Sequence, residues 1–240
     1  MDKFYKKRNY LINKQGTLKN KLKTYNFVNF LLETKYVYNF DWMGFPIIQF
    51  PSDILVLQEI LFKEKPDIVI ECGIGRGGSL VFYSSILKLI KKKFKVVGVE
   101  LSLGKNKKKI NKSPLSKNIT LIEGSSTDQK IVDKIKSILK NYKKPLIILD
   151  SNHTHQHVLE ELNIYSKFVK RNGYLIVFDS IIEFIKRKHN DPKKKFKKGN
   201  SPYTAIKEFL RKNSNFKIDP YFENKALITS APSGFLKKIK

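Results

Sequence analysis

Between residues 67 and 179 the chain alternates five times between a short apolar run and a longer segment, and this constrains its fold more than any other feature. The runs are Asp67-Ile68-Val69-Ile70, Phe94 to Glu100, Ile119 to Glu123, Pro145 to Asp150 and Gly173 to Asp179. Each is too short for a helix and rich in Val, Ile and Leu, as buried strands are. Between them, Ser79 to Ile90, Asp128 to Leu139 and Thr154 to Val169 carry apolar residues at helical spacing; residues 103–117 fit a short helix or a loop. Pro202 to Arg211 adds a further helix. Strands joined through helices pack by right-handed crossovers into a mostly parallel sheet covered on both faces, an α/β fold. Two last strand-like pieces, Phe216 to Ile218 and Ala226 to Thr229, show no helix between them, so an antiparallel edge hairpin is expected to complete seven strands.

Upstream, residues 1–45 read as a basic, helical arm packed on or capping the main domain of residues 46–240. Leu11, Leu18, Leu22, Phe27, Phe30 and Leu31 are spaced for one or two amphipathic helices. Residues 36–52, with Gly44, Pro46 and Pro51, read as a loop, and Ser52 or Asp53 is placed to cap a helix over Ile54 to Phe62. A hydrophobic content of 41% excludes global disorder. No apolar run approaches the roughly 18–20 residues that span a membrane. The basic N-terminus lacks the apolar stretch of a secretory signal. The single cysteine, Cys72, excludes an internal disulfide. A cytoplasmic protein, peripheral to a membrane at most, is expected.

The formal charge of +27 has two readings. One is an anionic partner, nucleic acid or membrane surface. The other is biased codon usage: there are five arginines against many lysines, and alanine occurs only at Ala205, Ala226 and Ala231. Specific nucleic-acid readers favour arginine, so no specific nucleic-acid partner is expected. Attraction to acidic glycans or lipid headgroups is compatible with both readings, and so is a homo-oligomer.

The first strand runs into Glu71-Cys72-Gly73-Ile74-Gly75-Arg76-Gly77-Gly78-Ser79. In doubly wound sheets, ligands bind outside the carboxyl ends of the strands, where glycines permit left-handed backbone and a helix N-terminus presents free N–H groups. The second strand ends in Glu100, an acceptor for both hydroxyls of a ribose. Glu71 precedes the first glycine, and Gly77 is extra to the dinucleotide pattern G-x-G-x-x-G. With the expected terminal hairpin, these features fit a class I methyltransferase better than a plain dinucleotide-binding fold. Glu71 then faces the cationic amino end of S-adenosylmethionine, and Gly124, Ser125 and Ser126 lie along its adenine.

The fourth strand delivers Asp150-Ser151-Asn152-His153-Thr154-His155-Gln156-His157, and the fifth delivers Phe178-Asp179-Ser180 to the same edge. One reading is a metal or acid–base site, with Asp150 and Asp179 as hard ligands for Mg²⁺ and a histidine as base. The other is helix capping by Asn152 or Thr154, with the histidines exposed in the first turn.

The chain resembles the cephalosporin hydroxylase / rhamnosyl O-methyltransferase family. The resemblance rests on Asp41-Trp42-Met43-Gly44, Phe50-Pro51-Ser52-Asp53, Pro66 to Gly73, Gly77-Gly78-Ser79-Leu80, Leu149 to Leu159, Gly173 to Val177, Gly199-Asn200-Ser201-Pro202 and Ala231 to Leu236. It implies a Rossmann-like methyltransferase with S-adenosylmethionine as donor, Mg²⁺ at the acceptor site, and O-methylation of a sugar hydroxyl on a surface glycan, lipopolysaccharide or glycolipid. Asp150, Asn152 and Asp179 are then the metal set, and Asp150, His153 and His155 the catalytic candidates. Two positions depart from the family pattern: Asn152 replaces an aspartate, and Phe178 replaces a glutamate before Asp179. An amide oxygen at Asn152 can still ligate, whereas Phe178 could close the site. The alternative is a catalytically degenerate member that binds RNA or an anionic surface through its lysines.

Overall fold

The computed structural model describes residues 2–186 and 195–240. Residues 187–194, half of the polar, lysine-rich stretch over residues 186–201 and including Arg187 and His189, lie outside the described residues.

The arm forms two helices. Asp2 caps α1 (Lys3–Gln15), and the Thr17 hydroxyl caps α2 (Leu18–Glu33) by accepting from Asn20 N. A two-residue hairpin follows, β1 (Asp41–Trp42) against β2 (Phe45–Pro46). Helix α3 (Pro51–Glu64) begins one turn earlier than the capping pattern suggested. Pro51 opens it, because its fixed φ suits the first turn and its missing N–H costs nothing there. Asp53 is no cap. It is buried and accepts from the Ser230 N–H at 2.9 Å and the Ser230 hydroxyl at 3.3 Å.

The alternation is then realised as β3 (Ile68–Cys72), α4 (Gly78–Ile90), β4 (Lys95–Glu100), α5 (Gly104–Asn111), β5 (Ile119–Glu123), α6 (Gln129–Leu139), β6 (Pro145–Leu149), α7 (His155–Tyr165), β7 (Tyr174–Val177) and α8 (Pro202–Lys212). The chain ends in β8 (Phe216–Ile218), α9 (Pro220–Ala226) and β9 (Phe235–Lys238). The sheet order is β5-β4-β3-β6-β7-β9-β8, parallel as far as β7, with β9 antiparallel to both β7 and β8.

The terminal hairpin therefore exists, but the segment assigned to its second strand is different. Ala226 to Thr229 is not a strand: Asp219 caps a short helix through Tyr221 N, Pro220 opens it, and Leu227 leaves it with φ +58°. The strand is Phe235–Lys238, and it lies inside the sheet with β8 at the edge.

Strand periodicity sorts the core into two layers. Ile68, Ile70 and Cys72 join Val97, Leu149 and Val177 under α6, α7 and α8. Val69, Val96, Ile148 and Ile176 point the other way, against α3 and α4. A third, smaller cluster places Val28 and Leu31 of α2 with Val37, Phe50, Ile181 and Ile185. Among the described residues no helix is long and apolar enough to cross a membrane.

Candidate active site

A cavity of about 680 Å³ opens at the carboxyl ends of β3, β6 and β7, within the size range of small-molecule sites. The glycine turn supplies one wall with Gly73, Ile74, Gly75, Arg76, Gly78 and Ser79. Asp150, His153 and Asp179 line it from the next two strands. Gln49, Phe50, Ile181 and Ile185 enclose it further, and Leu32, Lys35 and Tyr38 bring the end of the arm to its rim.

The turn is glycine-rich for two different reasons. Gly73 has φ +85°, and a Cβ there would stand 2.1 Å from the Asp150 carbonyl oxygen and 2.5 Å from Ser151 Cα. The chain leaving β6 crosses there, so the neighbouring backbone, not a ligand, excludes a side chain. Gly75 has φ +50°, and its nearest neighbour would be Ile48 Cδ1 at 3.8 Å, so it faces open cavity. Gly75 is thus the position whose bareness admits a ligand. Gly77 is buried and does not line the cavity; a Cβ there would strike Ile110.

The two glutamates flanking the turn are placed by strand alternation. Glu71 points toward α4, where the Ser79 and Tyr83 hydroxyls donate to it at 2.5 and 2.8 Å. It is buried, does not line the cavity, and burial pushes its carboxyl up to about 7. Glu71, read as facing the donor's amino end, is engaged here by Ser79, a residue of α4 that does line the cavity and stands between Glu71 and the ligand space. Glu100 remains half-buried at the end of β4 and accepts from Ile74 N at 3.0 Å, tying the second strand to the turn.

The carboxylate cluster is compact. One ligand atom each from Asp150, His153 and Asp179 lie within 4.8 Å of one another. His153 Nε2 is 3.3 Å from Asp179 Oδ2. Asp179 sits at φ +54°, a left-handed conformation that Asp tolerates better than most residues and that turns the chain at the end of β7. Asp150 accepts from Gln49 Nε2 at 3.0 Å. Burial, and then the like charge of Asp179, hold Asp150 well above the usual carboxylate range.

Several expected site residues are placed elsewhere. Asn152 is exposed, and its Oδ1 accepts from the Thr154 N–H and hydroxyl at 3.0 and 2.8 Å; it shapes the entry to α7 while His153 completes the cluster. His155 turns from the cavity toward Thr204 and Glu208, at 2.8 and 3.1 Å. Ser126 is buried against Glu161 and His157, and Ser125 pairs with Thr127. With Gly124, they lie outside the cavity lining. Phe178 does not close the site, because its ring packs in the core beneath α3 and α4. Gln49 and the apolar wall from residues 181–185 were not foreseen. Gln49 sits in an aromatic loop without periodicity, and nothing in its sequence neighbourhood marks it.

Sheet order, the glycine turn and the acidic strand ends together define a class I methyltransferase. The family model described as rhamnosyl O-methyltransferase/CmcI matches residues 34–239. Rhamnosyl O-methyltransferase of Mycobacterium tuberculosis is 35% identical over 197 residues, covering 81% of this chain and 76% of that protein. The Mycobacterium leprae protein of the same name is 32% identical, covering 81% of each. A CmcI structure described as carrying Mg and SAM superposes with a TM-score of 0.61 at 18% identity, covering 85% of this chain and 78% of that one. The chain belongs to the rhamnosyl O-methyltransferase/CmcI family, and it is an S-adenosylmethionine-dependent O-methyltransferase.

Proposed function

We propose that the chain methylates a sugar hydroxyl of a surface glycan, lipopolysaccharide or glycolipid, with Mg²⁺ assisting at the acceptor. The observation that carries this is the Asp150–His153–Asp179 cluster, set in the same cavity as the glycine turn. The names of the mycobacterial relatives support a sugar as acceptor.

Donor binding is assigned to the turn. Gly75 leaves room for the ligand's backbone-facing edge, Gly78 and Ser79 offer the N-terminus of α4, and Glu100, outside the cavity lining and tied to the turn through Ile74 N, is the proposed ribose acceptor. Glu71 sets the local charge from behind Ser79. Gly124 and Ser125 remain the proposed adenine side of the donor, beyond Glu100.

The side chains present fit Mg²⁺. Asp150 and Asp179 are hard oxygen donors, and the side-chain hydrogen bond described for Asp150 comes from a neutral amide, so the cluster is short of positive charge. Mg²⁺ held by this pair would lower the pKa of an acceptor hydroxyl and orient it. His153 is the proposed base. It takes the hydroxyl proton, and the imidazolium so formed lies against the Asp179 carboxylate. The acceptor oxygen then forms a bond to the methyl carbon as the carbon–sulfur bond breaks, and the sulfonium leaves as a neutral thioether.

Transfer of labelled methyl from S-adenosylmethionine to rhamnosyl glycolipids, with and without EDTA, tests this reading. Sugar methylation that EDTA abolishes and Mg²⁺ restores is expected. Undiminished turnover in EDTA overturns the metal role; methylation of phenolic but not sugar hydroxyls overturns the acceptor.

A further inference from the structure

The arm leaves an unusual surface. Of the fifteen large apolar side chains that stay exposed among the described residues, nine lie between Phe4 and Tyr38. AT-biased coding raises lysine and phenylalanine throughout a sequence, but it does not choose which side chains face solvent.

Helix geometry shows the pattern. On α2, Val28 and Leu31 point inward and are buried. At about 100° per residue, Leu22 and Phe30 fall on the opposite half and Phe27 lies just beyond its edge, about 40° from Leu31, with Lys19 and Lys23 interleaved among them. Phe27 and Phe30 are 49% and 56% exposed, far beyond what rings of that size show in a core. The outer side of α1 repeats this, with Phe4, Tyr10 and Leu11 among Lys3, Lys7 and Lys14. Residues 3–33 hold eight basic side chains and one acid, Glu33. Of the basic residues, Lys21 is spent on Glu223. Apolar rings beside lysines that form no ion pair among the described residues, on helices that also have a buried face, are the composition of a helix lying in a lipid interface.

We propose that the outer face of α1 and α2 docks on an anionic lipid bilayer next to the mouth of the active-site cavity. Charge complementarity selects the occupant: the lysines meet acidic headgroups while Leu22, Phe27 and Phe30 enter the boundary with the acyl chains. Position supports it too, because α2 runs directly into the cavity wall at Leu32, Lys35 and Tyr38, and Tyr38 is itself 62% exposed. Docking rests on this exposure, charge and position, and not on the identity of the acceptor. Its use, presenting a lipid-linked sugar to Asp150 and His153 without extracting it from the membrane, rests on the acceptor reading above.

The test is co-sedimentation of the full chain with phosphatidylcholine vesicles, with and without phosphatidylglycerol, across a salt series. Binding to the anionic vesicles that weakens with salt is expected. Both Phe27→Ser/Phe30→Ser and Lys19→Glu/Lys23→Glu should lower it about tenfold or more. Both variants should bind S-adenosylmethionine as the wild type does, since neither pair touches the turn; that measurement separates lost docking from lost folding. Equal binding to neutral vesicles, no binding to either, or unaltered binding by the phenylalanine variant overturns the proposal. So does wild-type affinity for RNA that exceeds that for vesicles and survives the phenylalanine changes. Failure of the wild type to bind the donor would count against the enzymatic reading and leave the vesicle result to judge docking separately.

Discussion

Replacing Gly73 and Gly75 by alanine separates the two reasons for glycine in the turn. Both have positive φ, +85° and +50°, so each alanine takes on about 1–2 kcal/mol of left-handed backbone strain. Only at position 73 does the new methyl meet immovable atoms, at 2.1 Å from the Asp150 carbonyl oxygen. Relief requires the Gly73 end of β3 to shift off β6, out of register with both neighbouring strands. That strains the Asp150 N–H to Cys72 carbonyl bond at 2.7 Å and the Gly73 N–H to Val99 carbonyl bond at 2.8 Å. With about 1 kcal/mol for each bond, Gly73→Ala should cost roughly 3–4 kcal/mol in all. At 2–4 °C per kcal/mol, the expected fall in Tm is about 6–16 °C, against about 2–8 °C for Gly75→Ala. Scanning calorimetry measures both. Donor binding should rank differently: Gly75→Val, which fills the cavity side of the turn, should abolish S-adenosylmethionine binding in a protein that is still folded. Equal Tm losses at the two positions, or a Gly75→Val protein that binds donor normally, would refute the assignment.

Other expectations follow from the same geometry. His153→Ala should lower kcat about 10²–10³-fold, as loss of a general base does, while His155→Ala should leave kcat within about twofold and cost about 1–2 kcal/mol through its bonds to Thr204 and Glu208; paired kinetics and melts compare them. Burial pushes Asp53 up to about 7 from an ordinary value of 3.8. The folded state therefore holds its proton more tightly than the unfolded state, and the stability from Asp53 is fully present below pH 3.8 and lost as pH rises through about 7. Asp53→Asn, which keeps an acceptor for Ser230, should raise Tm at pH 8 and leave it nearly unchanged at pH 4; a rise at pH 4 as large as that at pH 8 would contradict the burial account. Asp179→Asn should raise the Mg²⁺ concentration needed for half-maximal turnover and leave S-adenosylmethionine affinity within about threefold, read by activity against Mg²⁺ concentration and by calorimetry.

The parallel sheet was legible because its strands are buried on both faces, and such strands read as continuous Val, Ile and Leu runs bounded by turn residues. β5 falls on the residues the pattern indicated, Ile119–Glu123. The C-terminal segment was misread because α9 is only seven residues long, and its start signal, Asp219-Pro220, competes with the apolar character of Ala226 to Thr229. The directions of side chains at strand ends were less legible. His153 and His155 are two residues apart, one before α7 and one in its first turn, and only the tertiary placement of Thr204 and Glu208 draws His155 away. Glu71 was recognised as part of the site, but its orientation depends on which face of β3 α4 covers. Gln49 and the α2 wall are contributed by segments distant in sequence from the turn, so no local pattern could assign them.

The central claim is that the turn at residues 73–78 holds S-adenosylmethionine, with Gly75 at the contact. Isothermal titration of the donor into the wild type and into Gly75→Val measures this directly. Saturable binding to the wild type, absent in a folded Gly75→Val protein, is the predicted result. Absence of saturable binding to the wild type, or unchanged affinity in the variant, would contradict it.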